Sequence, residues 1–301
     1  MEEKLKIEHK LKQAEEFEAN GKFLHAIQVY TSLIEQYPQL TEAIFCLADL
    51  YQKLNNINSA SSLISLMIEN DPDNIEKRMF AGQFFLKNSL WNEAIDVLEL
   101  VMAEEDGYVS YLRGFAYYKL NEFELSKINF LNYVIRETDS SLKHEGYLFL
   151  AKNCIELKDY HSAENFLKKI ESVYSSYWEY QYLFGLVYKN IGMLEHAIVC
   201  AEKAIKLNSK NAEAFALAGQ LQLISGDYKK AERRFYKCLE LKDDFSADIY
   251  TGLAEVCLKS DNLKEALAYY NTALKLDPQN NTAQKGKAAA EHKLNNVSSD
   301  G

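Results

Sequence analysis

The side chains best suited to chemistry in this sequence are six histidines and five cysteines, and their spacing argues against a reaction centre. His9, His25, His144, His161, His196 and His292 stand singly, far apart along the chain. There is no His-Glu-x-x-His pair, no Cys-x-x-Cys, no glycine-rich phosphate loop and no Gly-x-Ser-x-Gly elbow. Cys46, Cys154, Cys200, Cys238 and Cys257 are odd in number and embedded in helical patterns, so they read as reduced thiols acting as small apolar residues. Carboxylates are abundant but spread over helix faces, the arrangement of a solvated surface. The expectation is a non-enzymatic protein with no cofactor and no bound metal.

Charge points to the kind of partner. Lys and Arg number 34 against 44 Asp and Glu, a net charge of −10. An acidic surface repels phosphate backbones, so nucleic acid is not expected as a partner, and a basic or neutral protein fits better. The N-terminus lacks the apolar run of a signal peptide, and no stretch approaches the roughly 20 apolar residues of a membrane helix. A cytoplasmic chain without membrane insertion is expected. With 3 prolines and 12 glycines, little interrupts helix.

The elements that must position any site are repeats. Pro38 and Pro72 are 34 residues apart, and Pro278 lies 206 further on, six such periods plus two. Units are placed at 7–40, 41–74, 75–108, 107–140, 144–177, 178–211, 212–245 and 247–280. Midway through the first helix of each stand Ala14, Ala48, Gly82, Gly114, Ala151, Gly185, Gly219 and Ala254. Twelve residues later come Ala26, Ala60, Ala94, Ser126, Ala163, Ala197, Ala231 and Ala266. Glycine inside a helix costs about 1 kcal/mol relative to alanine, so its recurrence at one offset implies close helix packing. Four residues beyond the second column stand large apolar side chains such as Tyr30, Leu98, Phe130, Phe235 and Tyr270. Turns at 20–22, 191–193 and 225–227 carry glycine for the left-handed position that ends a helix.

A 34-residue helix–turn–helix with this spacing, an aromatic four residues on and a closing proline resembles the tetratricopeptide repeat, over residues 7–280. The resemblance implies an all-α fold, a right-handed superhelical solenoid of antiparallel helix pairs running as one domain through residues 1–294. Proline is missing from five of the eight closing positions. Lys10, Arg78, Ser110 and Gln181 replace an early family aromatic, and Arg113 replaces the leucine that follows. The alanine- and lysine-rich stretch 282–294 reads as a polar-faced capping helix, and 295–301 as a disordered tail.

In proteins resembling this one the first helices line a concave face. The residues three before and one after the first-helix small residue share one side of the helix. They place Phe45, Asp49, Met79, Gln83, Tyr111, Phe115, Lys152, Tyr182 and Leu186 along a candidate peptide groove, with Tyr118 one turn beyond Phe115. Either neighbouring helix pairs cover the apolar members, or those members line a groove. Six residues before the small residue runs an acidic rim: Glu42, Glu76, Glu145, Glu179 and Glu213. The helix dipole alone favours such carboxylates, and together they attract Lys or Arg on a ligand. Family members that clamp acidic chaperone tails use Lys and Asn at offsets occupied here by Leu11, Glu15 and Asp49, so no such clamp is expected.

The expected role is a scaffold or adaptor binding a peptide or helical segment that carries apolar, aromatic and basic residues. A peptide-sensing regulator or a secretion or assembly chaperone would use the same groove, and an RNA-binding helical repeat would need a basic one. Self-association through apolar end faces is also open. The least regular region, 107–143, is the favoured place to look for function.

Overall fold

The computed structural model describes residues 2–101, 107–241 and 247–299, and every regular element among them is helical. Residues 1–146 and 147–301 form two compact units. In the first, α1 (Glu2–Ala19) pairs with α2 (Phe23–Gln36) and α3 (Thr41–Lys53) with α4 (Ile57–Asn70). Then α5 (Ile75–Lys87) pairs with α6 (Trp91–Leu98), and α7 (Gly107–Lys119) with α8 (Phe123–Arg136). Helix α9 (Ser140–Glu156) carries the chain into the second unit, followed by α10 (Tyr160–Lys169) and the single turn α11 (Glu171–Tyr174). The pairs α12 (Trp178–Asn190) with α13 (Leu194–Leu207), α14 (Ala212–Ile224) with α15 (Tyr228–Leu241), and α16 (Ala247–Lys259) with α17 (Leu263–Leu276) complete it. Helix α18 (Asn281–Ser299) closes the chain and continues five residues into the stretch expected to be a disordered tail, of which 300–301 lie outside the described residues. The contraction of the period falls beside residues 102–106, which also lie outside them.

Local chemistry starts and stops these helices. Asn56, Asn74, Asp159 and Asn211 accept the backbone N–H groups of Ser59, Lys77, Ser162 and Ala214, each cap contributing about 1 kcal/mol. Between paired helices one residue turns left-handed, at 21, 55, 89, 121, 158, 192, 226 and 261. Only three of these are glycine: Gly21, Gly192 and Gly226. Asn55, Asn121 and Asp261 tolerate the conformation best among the others, whereas Ser89 (φ 61°) and Lys158 (φ 61°) carry a side chain where it costs roughly 1 kcal/mol. Lys158→Gly is therefore expected to raise stability by about 0.5–1 kcal/mol in a denaturant titration. A loss of stability would show that Lys158 makes a contact worth more than the strain.

The small-residue columns are where helices touch. A β-carbon on Gly82 would lie 2.6 Å from Leu98, and one on Gly114 3.0 Å from Phe130. Ser126 Oγ donates to the Gly114 carbonyl at 2.8 Å, a backbone approach that only small side chains permit. At Gly82 and Gly114 the gap is thus filled by the large residue of the second helix, and Tyr30, Ile64, Leu98, Phe130, Leu167, Phe235 and Tyr270 are all fully buried. The sixth unit instead has Ala201 there, and Leu217 of the next unit meets Gly185.

Candidate functional site

In the first unit the first-helix faces of α3 and α5 enclose a cavity of about 430 Å³. The rings of Phe45 and Phe80 stack in it with centroids 3.6 Å apart, and Asp49, Gln52, Gln83 and Phe84 line it too. The 3.6-residue period of α3 and α5 brings these side chains to one side. At the rim Lys87 Nζ donates to Gln52 Oε1 at 3.2 Å, while Gln52 Nε2 donates to Asn88 Oδ1 at 3.1 Å. Asp49 pairs with Lys53 at 2.7 Å, and that bond raises the lysine's affinity for its proton. Burial pushes the thiol of Cys46, on the same wall, above its ordinary range. Phe45, Asp49 and Gln83 thus meet in one place.

Phe80 was not among the candidates. It sits two residues before Gly82, off the stripe that spacing picks out, and only its aromatic type beside Met79 could have signalled it. Met79 itself is half-buried and packs into the core.

The aromatic side chains of α7 are engaged elsewhere. Tyr111 donates its hydroxyl to Glu145 at 2.7 Å, and its ring meets Phe130 and Tyr133 edge-on. Burial first, and then Glu145, holds that hydroxyl protonated well above the usual tyrosine range. Phe115 packs edge-on against Trp91, with the Lys119 ammonium 5.3 Å from its centroid. Tyr118 packs on Phe123 of its own helix pair. All three are half-buried.

In the second unit Lys152 pairs with Glu179 at 2.8 Å and lies over the Phe149 ring. Tyr182 leans on Trp178, and burial, aided by Glu213 and Glu156, pushes its hydroxyl up to about 12. Leu186 is half-buried against the same core cluster as Tyr182. Along the acidic rim Glu42, Glu76, Glu145 and Glu213 are exposed and Glu179 is half-buried. Glu145 and Glu179 already hold Tyr111 and Lys152, whereas Glu42 and Glu76 stand exposed on α3 and α5, the two helices that line the cavity.

A larger cavity, about 560 Å³, lies in the second unit among α10, α12 and α13, lined by Lys168, Tyr180, Phe184, Tyr188, His196 and Lys203. Sequence spacing gives no hint of it, because its α12 residues stand off the two offsets that mark the groove, and Lys168, His196 and Lys203 lie on second helices, whose positions read as packing. One of its two tyrosines, Tyr180, is 3% exposed, and its hydroxyl oxygen is buried without a hydrogen-bond partner among the described residues. Volume alone would favour this cavity. The α3–α5 cavity is favoured because the exposed Gln83 amide rims it and its two helices also carry the exposed Glu42 and Glu76, so backbone-matching and charged groups occur together.

Among the described residues no group of three or more His, Cys, Asp or Glu is placed to hold a metal ion, and no helix is long and apolar enough to cross a membrane.

Residues 179–211 and 222–290 match two family models, both described as tetratricopeptide repeat. The chain is 23% identical over 233 residues to the DnaJ homolog subfamily C member 7 homolog of Schizosaccharomyces pombe, covering 68% of this chain and 49% of that protein. It is 23% identical to the CTR9 homolog of Arabidopsis thaliana, covering 80% of this chain and 23% of that one. Anaphase-promoting complex subunit 7 of Arabidopsis thaliana is 22% identical, over 52% of this chain and 34% of its own length. The chain therefore spans less than half the length of each of these relatives.

Among solved structures, that of the APC/C hetero-tetramer Cut9–Hcn1 matches with a TM-score of 0.63 at 17% identity, over 89% of this chain and 52% of that one. A tetratricopeptide repeat protein from Parabacteroides merdae matches at 0.63 and 14% identity, over 88% and 99%. At such identities the likeness is one of fold.

Proposed function

This chain is a tetratricopeptide-repeat protein, and we propose that it acts as a protein-interaction scaffold that takes an extended partner segment on the first-helix face of its first unit. The observation that carries this reading is the cavity between α3 and α5, where the stacked rings of Phe45 and Phe80 sit beside Asp49 and Gln83. An apolar side chain of the partner packs against the stacked ring pair, and removing both surfaces from water supplies the main attraction. Gln83, exposed at the rim, bonds the partner's backbone, since a carboxamide both donates and accepts. Glu42 and Glu76 favour a basic residue next to the apolar anchor. The relatives include subunits of multi-protein assemblies by name, which fits a binding role.

Gln83→Arg tests this without disturbing the core, because the side chain is exposed. The variant sets a cation in the path of a basic segment and should weaken capture of partners from native extract about tenfold, roughly 1.4 kcal/mol. Phe80→Ala should do the same by removing the apolar seat. If both variants keep wild-type circular dichroism and every partner is still captured at full strength, the α3–α5 cavity is not the binding site.

A further inference from the structure

Helix α8 carries an apolar stripe that faces solvent. Leu125, Ile128 and Ile135 are 42%, 52% and 75% exposed, and no other second helix among the described residues has more than two large apolar side chains so exposed. With 3.6 residues per turn, these three and the exposed Glu124, Asn132 and Arg136 fall within an arc of roughly 120°. The buried Ser126, Phe130, Tyr133 and Val134 occupy the opposite side. Positions 125, 128, 132 and 135 are spaced three, four and three, the seam of one helix packing lengthwise on another, with Asn132 as its polar member.

The stripe is also self-complementary. We propose that α8 is the interface for a second copy of this chain, the two helices lying antiparallel about a two-fold axis near Phe130. That axis sets Leu125 opposite Ile135 of the second copy and Ile128 opposite its Asn132, as an isologous contact requires. It brings the acidic end of each stripe, at Glu124, to the basic end of the other, at Arg136. Neither residue has an ion pair among the described residues. A parallel arrangement would instead set like charges together at both ends. A contact this small lies at the low end for specific interfaces, near 1,000 Å² in total, so the dimer is weak, with a dissociation constant on the order of tens of micromolar.

Sedimentation equilibrium of the full chain at rising concentration reads this directly. Wild type should pass from monomer to dimer, and Ile128→Asp with Ile135→Asp, both at exposed positions, should stay monomeric. Glu124→Arg alone should weaken the dimer at least about fivefold, and Glu124→Arg with Arg136→Glu should restore it. A wild type that stays monomeric to about 500 µM, well above the expected constant, overturns the proposal. So does a dimer that survives the two aspartates, or a Glu124→Arg dimer of wild-type strength.

Discussion

Replacing Phe235 with alanine is expected to destabilise the second unit by about 3–5 kcal/mol. Phe235 is fully buried, and its ring lies between two glycines on different first helices. A β-carbon on Gly219 of α14 would come within 2.7 Å of the ring, and one on Gly252 of α16 within 2.6 Å. One side chain therefore fills the gap within its own helix pair and the gap to the next. In a stacked-repeat protein, losing such a contact weakens both a repeat and its interface.

The same geometry predicts a reversal of sign. Gly219→Ala adds about 1 kcal/mol of helix propensity, yet it should destabilise the wild type by crowding the ring. In a Phe235→Ala background the same change should stabilise, because the space is then empty. Denaturant titration with hydrogen exchange across α14–α16 gives the coupling. A Gly219→Ala variant more stable than wild type would show that α15 can move aside and that the glycine is not needed for the approach.

Arg113→Met is expected to cost about 2–3 kcal/mol in the first unit. Helix α6 is only eight residues long and has no basic residue in its last turn. Its end is satisfied from outside. Arg113 Nε donates to the Leu98 carbonyl at 3.0 Å, and its Nη2 donates to the carbonyls of Leu98 and Val101. On the other side Arg78 Nη1 donates to the Val97 carbonyl at 3.2 Å. Burial opposes the arginine's charge and Glu99 supports it. Methionine keeps the apolar volume but takes the charged donor away from both carbonyls, leaving Leu98 with the Val101 N–H alone, and a cation at the negative end of the helix dipole is lost as well. Arg113→Lys should recover only part of the loss, since an ammonium lacks the guanidinium fork. A change below about 0.5 kcal/mol would mean that water replaces the arginine without penalty.

Arg113 also shows what sequence alone could and could not say. Its departure from the family leucine was visible, but its reason was not, because the carbonyls it serves belong to another helix. The small columns were legible because they express a local rule, as Gly82 against Leu98 and Gly114 against Phe130 show. The left-handed turn residues were legible where they were glycine. Ser89 and Lys158 do the same job with no compositional mark.

At the candidate site, spacing found Phe45, Asp49 and Gln83 but missed Phe80, because a fixed pair of offsets samples only part of a helix face. It also favoured the aromatic crowd of α7. There the side chains turn to partners that spacing does not reveal, Tyr111 reaching Glu145 across 34 residues.

Site-specific photo-crosslinking locates the bound partner segment on the chain. A photoreactive residue at Gln83, beside the stacked rings of Phe45 and Phe80, samples the α3–α5 cavity, and one at Lys203 samples the larger cavity of the second unit. Partner segments from native extract are predicted to crosslink from position 83, with an apolar residue flanked by Lys or Arg at the site of attachment. Crosslinks from position 203 with none from position 83 would contradict the account and move the binding site to the second unit.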